Sequence, residues 1–300
     1  MSLRAFRPAI ALAVLCWAGP GSAQAPMEEV RITARALSGC VWMLEGRGGN
    51  IAVCAGEDGV FMVDDQYAPL TPAILEAVRE INEGPVRFVL NTHWHGDHTG
   101  GNENLGKAGA VVVAHDNVRE RMSVDQFMAF MDRQVPASPK GALPVVTFSE
   151  DVTFHLNGET VHAFHVPAAH TDGDAMVHFR QADVIHAGDV VFFGLYPFID
   201  VGSGGSVVGV IGALDRLLPL VGEDTIVVPG HGPLTDRAGL VAYRDMLATV
   251  SDRVAAMIRE GMSLEAVQAA RPSADYDEAW GQGFIKPDRF VAMLYEDLAR

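Results

Sequence analysis

A short segment rich in histidine and aspartate most constrains what this chain can fold into. Three histidines and one aspartate fall within six consecutive residues, directly after an apolar run at 86–90 that is typical of a buried strand. Packing alone does not explain this cluster, because buried imidazoles need hydrogen-bonding partners and protonated ones repel one another. Neutral imidazoles and a carboxylate are ligands of divalent metal ions. The cluster consists of His93, His95, Asp97 and His98.

The spacing within the cluster predicts two groups of ligands. Residues two apart in an extended segment point the same way, so His93 and His95 can bind one ion together. Asp97 and His98 follow the turn at Gly96 and can face a second ion. The alternative is a polar surface loop that carries histidines by chance, and further candidates downstream argue against it.

Three more candidate ligands lie at the ends of apolar runs farther along the chain. His170 follows the strand-like segment 161–165, Asp189 follows 182–186, and His231 follows 225–228. Each lies near glycine or proline, as expected where a strand gives way to a loop. Because α/β proteins gather functional groups at strand ends, we expect these three side chains to meet the first cluster.

The complete set resembles the ligand pattern of a known family. In order and spacing, over about residues 46–231, it resembles the metallo-β-lactamase superfamily of binuclear metallohydrolases. The resemblance implies an α/β fold, namely an αββα four-layer sandwich of two mixed sheets packed face to face, with helices outside and metal ions at one edge. The matching positions are His93, His95, Asp97, His98, His170, Asp189 and His231.

The resemblance also implies a cofactor of two zinc ions per chain, with iron or manganese possible because the ligand sets overlap. The first ion would be held by His93, His95 and His170, the second by Asp97, His98 and His231, and Asp189 would bridge them. Metal-bound hydroxide would attack a carbonyl group, and Asp97 would be the catalytic residue that orients it. Ligating histidines usually donate their other N–H group to a carboxylate or carbonyl. Candidates for that second layer are Asp64, Asp65, Thr99 and Asp174.

The identity of the bridging residue bears on the reaction. An aspartate at position 189, where well-known lactamases have cysteine or a histidine arrangement, resembles the secreted lactamase-like branch and glyoxalase II-like thioesterases. We therefore expect a zinc-dependent hydrolase acting on a small amide, lactam or ester carbonyl, with β-lactam hydrolysis in its range. The alternatives are a glyoxalase II-like thioesterase and an iron-dependent oxidoreductase of the same fold. His95 argues against the diiron branch, which has glutamate there.

The N-terminus is typical of a secretory signal. Arg4 and Arg7 precede an apolar stretch at 9–18, which is too short to span a membrane, and Ala23-Gln24-Ala25 is a small-x-small cleavage site. We predict a signal peptide over 1–25, cleaved after Ala25, and a periplasmic or secreted protein without a membrane anchor. Residues 26–300 would form one domain, with helices of about 236–300 packed outside.

The charge of the chain restricts its partners. The 22 lysines and arginines face 38 acidic residues, which gives a formal net charge of −16. An acidic surface repels polyanions, so we expect a small-molecule substrate and no nucleic acid. The oligomeric state stays open.

Two cysteines remain after the predicted cleavage. Cys40 and Cys54 flank a turn-rich segment at 46–49, so they would lie nearly opposite in a hairpin. An oxidising compartment permits a disulfide between them. Two buried thiols are the equally open alternative.

The segment 196–206 is the candidate for substrate recognition. It follows Asp189 and precedes a predicted helix at 206–221, and free N–H groups at a helix start can bind a carboxylate. We expect Ser203 and Ser206 to hold an anionic group there, with Trp94 and Tyr196 forming an apolar wall. The alternative is a helix cap and ordinary core aromatic residues.

An earlier polar stretch, residues 132–143, is expected to overhang the site. Residues 118–131 have an amphipathic pattern that predicts a helix, and the polar stretch 132–143 reads as an overhanging loop.

Overall fold

A computed structural model describes residues 26–300, and the predicted signal peptide at 1–25 lies outside the described residues. The first half of this range forms a seven-stranded mixed sheet in the order β1-β2-β3-β4-β5-β6-β9, antiparallel from β1 to β4 and parallel beyond it. A separate hairpin pairs β7 with β8. The strands are β1 (Thr33–Ser38), β2 (Val41–Glu45), β3 (Ile51–Gly56), β4 (Gly59–Val63), β5 (Val86–Leu90), β6 (Val111–His115), β7 (Gln126–Met128), β8 (Arg133–Val135) and β9 (Val146–Phe148).

The second sheet has five strands in sequence order, antiparallel except for the last pair. Its first hairpin turns at Asn157 and Gly158, whose φ angles of 55° and 72° are those of the tight turn that Asn-Gly favours. The strands are β10 (Asp151–Leu156), β11 (Glu159–His165), β12 (Ala175–Phe179), β13 (Val184–His186) and β14 (Ile226–Val228).

The two sheets pack against each other through one apolar layer. Phe61 of β4 lies at its centre, with its ring 4.9 Å from that of Phe154 and 6.3 Å from that of Phe179 on the opposite sheet. Along β11, buried residues alternate with partly exposed ones, as expected for a strand with one face on this core.

Helices cover the outer faces of both sheets, which completes the predicted αββα sandwich. Helix α1 buries Ile74 and Val78 on the first sheet, and α5, α6 and α9 share the apolar cluster outside the second. Within residues 26–300, none of the helices has the length and apolar character needed to cross a membrane. The helices are α1 (Thr71–Ile81), α2 (Gly96–Thr99), α3 (Asn102–Lys107), α4 (Asp116–Met122), α5 (Val207–Leu217), α6 (Arg237–Arg259), α7 (Leu264–Ala270), α8 (Asp277–Trp280) and α9 (Pro287–Leu298).

The segment after α4 differs from the predicted helix over 118–131. The helix ends at Met122, where the Ser123 hydroxyl donates to the Arg119 carbonyl. The chain then forms the β7–β8 hairpin, which turns at Asp132 with a left-handed φ of 46°. The apolar residues of this segment thus belong to a hairpin instead of a helix face.

The structure joins Cys40 and Cys54 in a disulfide with an S–S distance of 2.07 Å. Cys54 pairs with Val41 in the β2–β3 ladder, and the Ala55 amide donates to the Cys40 carbonyl. The hairpin thus brings the two side chains together as the spacing suggested.

Candidate metal centre

The seven candidate ligands meet where the two sheets come together. The loop after β5 supplies His93 and His95, and the short helix α2 presents Asp97 and His98. The second sheet supplies the other three from the loops after β11, β13 and β14, which hold His170, Asp189 and His231.

The side chains form two adjoining groups. His93, His95, His170 and Asp189 make the first, Asp97, His98 and His231 make the second, and the ligand atoms within each group lie within 4.8 Å of one another. Asp189 also reaches the second group, because its Oδ2 is 3.5 Å from His231 Nε2 and its Oδ1 is 3.1 Å from His98 Nε2. Its carboxylate therefore stands between the two groups, where a bridging ligand would be.

The donor set fits divalent metal ions. Imidazole nitrogens face each other, with 2.9 Å between His170 Nε2 and His95 Nδ1 and 3.3 Å between His98 Nε2 and His231 Nε2. His93 Nε2 is buried without a hydrogen-bond partner. Buried polar atoms of this kind are rare unless an ion or water satisfies them. Nitrogen and carboxylate donors of this kind suit a divalent metal ion.

The electrostatics of the first group suit a cation as well. Burial lowers the pKa of His93 well below its usual range and that of His170 to about 4, so both imidazoles are neutral at pH 7 and can bind metal. Burial alone would raise the pKa of Asp189, but His98 and His231 hold it well below its usual range. His93 and His170 in the first group thus offer neutral nitrogen donors beside an ionised carboxylate.

Two buried carboxylates orient ligating histidines from behind. Asp64 accepts hydrogen bonds from the Thr92 amide and hydroxyl, and its Oδ2 lies 2.7 Å from His98 Nδ1. Asp200 Oδ2 lies 3.0 Å from His95 Nε2, which leaves His95 Nδ1 to face His170. Such contacts fix which ring nitrogen carries the proton and which one is free for metal.

The remaining predicted supports act through the backbone. Asp174 accepts from the His170 amide at 2.6 Å, Asp65 from the Gly101 amide at 2.8 Å, and Thr99 donates to the His95 carbonyl at 3.1 Å. These hydrogen bonds stabilise the loops that carry the ligands, and none of them involves an atom that would bind metal.

Two glycines allow the backbone to approach the centre closely. A Cβ atom at position 230 would lie 2.0 Å from Asp189 Oδ1, and one at position 49 would lie 2.1 Å from His98 Cε1. No side chain fits at Gly49 or Gly230 unless the adjacent ligand moves.

A cavity of about 440 Å³ opens over the two groups. Its floor includes His95, Asp97, Asp189 and His231, so ligands from both groups face it. Most of the wall is apolar, and Tyr196 is part of it as predicted. The other apolar lining residues are Met128, Met131, Phe192, Leu195, Phe198, Phe284 and Ile285.

The other three predicted substrate residues do not line this cavity. Trp94 is 4% exposed and packs in the core, with its ring 4.7 Å from that of His95. The hydroxyl of Ser203 donates to Asp200, and Ser206 caps α5 by accepting from the Gly209 amide. These placements correct the expected role of the three residues in substrate binding.

The structure also corrects the expected anion site at the start of α5, because an N–H group there already has a hydrogen-bond partner within the protein. The Val207 amide already donates to a carboxylate of the same chain, Asp297 Oδ2, at 2.7 Å. The C-terminal helix α9 thus provides the negative charge that a substrate was expected to bring.

Several cavity residues were missed by the sequence analysis. Arg47 lies in the β2–β3 turn and Arg133 begins β8, whereas Phe284 and Ile285 precede α9. Nothing in their local sequence indicates a site, because tertiary packing alone brings them there. Asp200 could have been found, since it is a lone acidic residue inside the apolar run 196–201.

Comparison with known proteins agrees with this geometry. An atrochrysone carboxyl ACP thioesterase of Aspergillus chevalieri is 26% identical over 249 residues, which cover 80% of this chain and 71% of that enzyme. A hydroxyacylglutathione hydrolase of Erythrobacter litoralis is 29% identical over 108 residues, 36% of this chain and 35% of that protein. A metallo-β-lactamase structure from Pontibacter korlensis shares the fold, with a TM-score of 0.60 and 20% identity over 73% of this chain and 99% of that one.

The family model of the metallo-β-lactamase superfamily matches residues 44–231, which include every candidate ligand from His93 to His231. The match covers more than half of the chain and ends where the C-terminal helices begin. This hydrolytic enzyme therefore belongs to the metallo-β-lactamase superfamily.

Proposed function

We propose that this hydrolase binds two divalent metal ions, zinc above all, and cleaves a small ester or lactam carbonyl. The observation that carries the proposal is the position of Asp189, whose carboxylate stands between two complete groups of donors at the floor of an apolar cavity. Two ions bound there would supply an acidified water molecule and polarise a carbonyl oxygen.

The chain's own residues orient the reaction. Asp97 lines the cavity, and its Oδ2 lies 3.2 Å from His231 Nε2, so this carboxylate is held at the cavity floor, where it would orient an attacking water molecule. Phe192 and Phe198 stand beside the ligands and exclude bulk water, and the ring of Phe192 stacks on that of His231 at 5.0 Å. A drier site strengthens these electrostatic contacts.

Thioester hydrolysis is the second candidate. The observation in its favour is that two similar proteins, the fungal thioesterase and the hydroxyacylglutathione hydrolase, carry names of thioester-cleaving enzymes. The same geometry serves both reactions, because a thioester also presents a carbonyl carbon to the attacking water. An oxidoreductase with one iron is disfavoured, because the chain retains seven donors arranged for two ions.

Metal analysis and a substrate panel test the proposal. Purified protein should contain close to two zinc ions per chain and should cleave at least one of nitrocefin, an aryl ester and an aryl thioester. Removing the metal with a chelator should abolish that activity, and adding zinc should restore it. A preparation with one iron, no zinc and no hydrolysis would contradict the proposal and favour an oxygenase.

We also propose that the chain is exported by the segment 1–25. The disulfide between Cys40 and Cys54 supports this proposal, because such bonds persist in oxidising compartments. N-terminal sequencing of the protein from a bacterial periplasm should begin at Pro26. A chain that begins at Met1 and stays in the cytoplasmic fraction would contradict export.

A further inference from the structure

The roof of the cavity comes from two segments outside both sheets. The first is the β7–β8 hairpin, which contributes Met128, Met131 and Arg133, and the second is the segment 281–285 before α9, which contributes Phe284 and Ile285. The superfamily model ends at residue 231, so the second segment lies beyond the part of the chain that defines the family. The roof is therefore where this chain is expected to set its own substrate preference.

The β7–β8 hairpin is bound to α9, which directly follows the second roof segment, and it also packs towards the metal ligands. Arg289 at the start of α9 donates to the Phe130 carbonyl at 2.8 Å, and its guanidinium lies 4.1 Å above the Phe130 ring. That ring is 5.0 Å from Phe198, which in turn stacks on His95 at 5.8 Å. A continuous aromatic surface thus runs from the roof to a candidate ligand.

The mouth of the cavity exposes large apolar side chains. Phe284 is 70% exposed and Met131 is 36% exposed. Both line the cavity, so their exposed surfaces adjoin its interior. An apolar group that entered between them would be removed from water together with both side chains, which favours binding by the hydrophobic effect.

Two arginines also line this cavity in an otherwise acidic chain. Arg47 and Arg133 both line the cavity, although the chain carries a formal net charge of −16. Both also act electrostatically on Tyr67, another lining residue. Arg133 donates to the thioether of Met128 at 3.5 Å, which is a weak acceptor. A guanidinium binds a carboxylate through two parallel hydrogen bonds, so an acidic group suits this position.

From these observations, we infer that the substrate is an amphiphilic acid, an inference that rests on the proposed carbonyl hydrolysis. Its apolar acyl body lies between the hairpin and the segment 281–285, and a carboxylate at the far end of that body binds at Arg133. The scissile carbonyl then reaches Asp97 and Asp189 at the cavity floor. Hydrolysis adds one water molecule across the acyl–oxygen bond and releases a dicarboxylic acid and an alcohol.

Matched aryl esters test the inference. The mono-4-nitrophenyl ester of octanedioic acid has a free carboxylate, whereas 4-nitrophenyl octanoate has the same chain length without one. We expect kcat/KM about tenfold higher for the anionic ester, as for a contact with a charged group. Arg133→Gln should remove most of this preference, and Phe284→Ala should raise KM for both esters. The control Arg35→Gln changes an exposed arginine of β1 outside the cavity and should keep the wild-type ratio.

A binding measurement separates this inference from the proposed reaction. Titration calorimetry should show octanedioate binding about tenfold more tightly than octanoate, with the difference lost in Arg133→Gln. If octanedioate binds more tightly as expected but neither ester is cleaved, the inferred substrate class stands and the proposed carbonyl hydrolysis is wrong. If both esters are cleaved equally well and Arg133→Gln changes nothing, the amphiphilic acid is wrong and carbonyl hydrolysis stands.

Discussion

Replacing Asp200 with asparagine should weaken metal binding while leaving the fold intact. Asp200 is buried, and its Oδ2 accepts from the Ser203 hydroxyl at 2.7 Å and lies 3.0 Å from His95 Nε2. Burial raises the pKa of this carboxyl, but the hydrogen bonds from His95 and Ser203 lower it to about 2, so the group is ionised at neutral pH. Asparagine keeps the size of the side chain and removes the charge.

The size of the effect follows from the contact that is lost. A hydrogen bond to a charged group contributes about 1.5–3 kcal/mol, which corresponds to roughly a tenfold to hundredfold change in an equilibrium constant. The loss falls on metal affinity, because the carboxylate makes His95 more basic and keeps the proton on Nε2, so that Nδ1 is free for the ion. Asp200→Asn should therefore bind zinc about 10 to 100 times more weakly.

Competition with a chromophoric zinc chelator measures this affinity directly. The control is Asp215→Asn on α5, which removes an exposed aspartate that pairs with Arg244 at 2.9 Å. The control should bind zinc as the wild type does, and metal-free forms of all three proteins should unfold at similar temperatures. An Asp200→Asn affinity within twofold of wild type would show that this carboxylate does not position His95.

Three further changes probe other parts of the structure. Asp97→Ala should reduce hydrolysis of the best substrate far more than tenfold, which is about 1.4 kcal/mol of activation free energy, and steady-state kinetics that show a smaller loss would contradict its catalytic role. Gly230→Ala should displace Asp189 and lower the zinc content, measured by elemental analysis, whereas Gly212→Ala adds a Cβ that meets nothing within 4 Å and should not. Replacing Cys40 and Cys54 by serine should lower the free energy of unfolding by about 2–4 kcal/mol, and urea curves that coincide with the wild type would disprove this.

The clustering of the candidate ligands was largely predictable from the sequence, because the ends of strands are local features. The seven candidate ligands follow apolar runs, and the parallel pairing of β13 with β14 brings together the strand ends that precede Asp189 and His231. The two-layer sheet arrangement was likewise expected from the family resemblance. The local sequence pattern and the strand topology were therefore sufficient to predict which residues are the candidate ligands.

The apolar wall of the cavity was not predictable from the sequence, because it depends on how segments that are distant in the sequence pack together. The sequence around Ser206 predicted the start of a helix. Only the structure shows that the Val207 amide at this helix start already donates to Asp297. The segment 118–131 had helical periodicity, yet its second half pairs with β8 to form the roof. Phe284 and Arg133 are far apart in the sequence and line the same cavity only in the folded chain.

The order of the strands along the chain makes the metal centre a junction between two fragments. All strands of the first sheet end by Phe148, those of the second begin at Asp151, and the exposed turn between them is Ser149-Glu150. A cut in that turn would leave four candidate ligands on one fragment and three on the other. Reassembly of the two fragments should then depend on the metal ions. The cut enzyme would regain hydrolysis only when zinc is supplied, so its activity would report the presence of the metal.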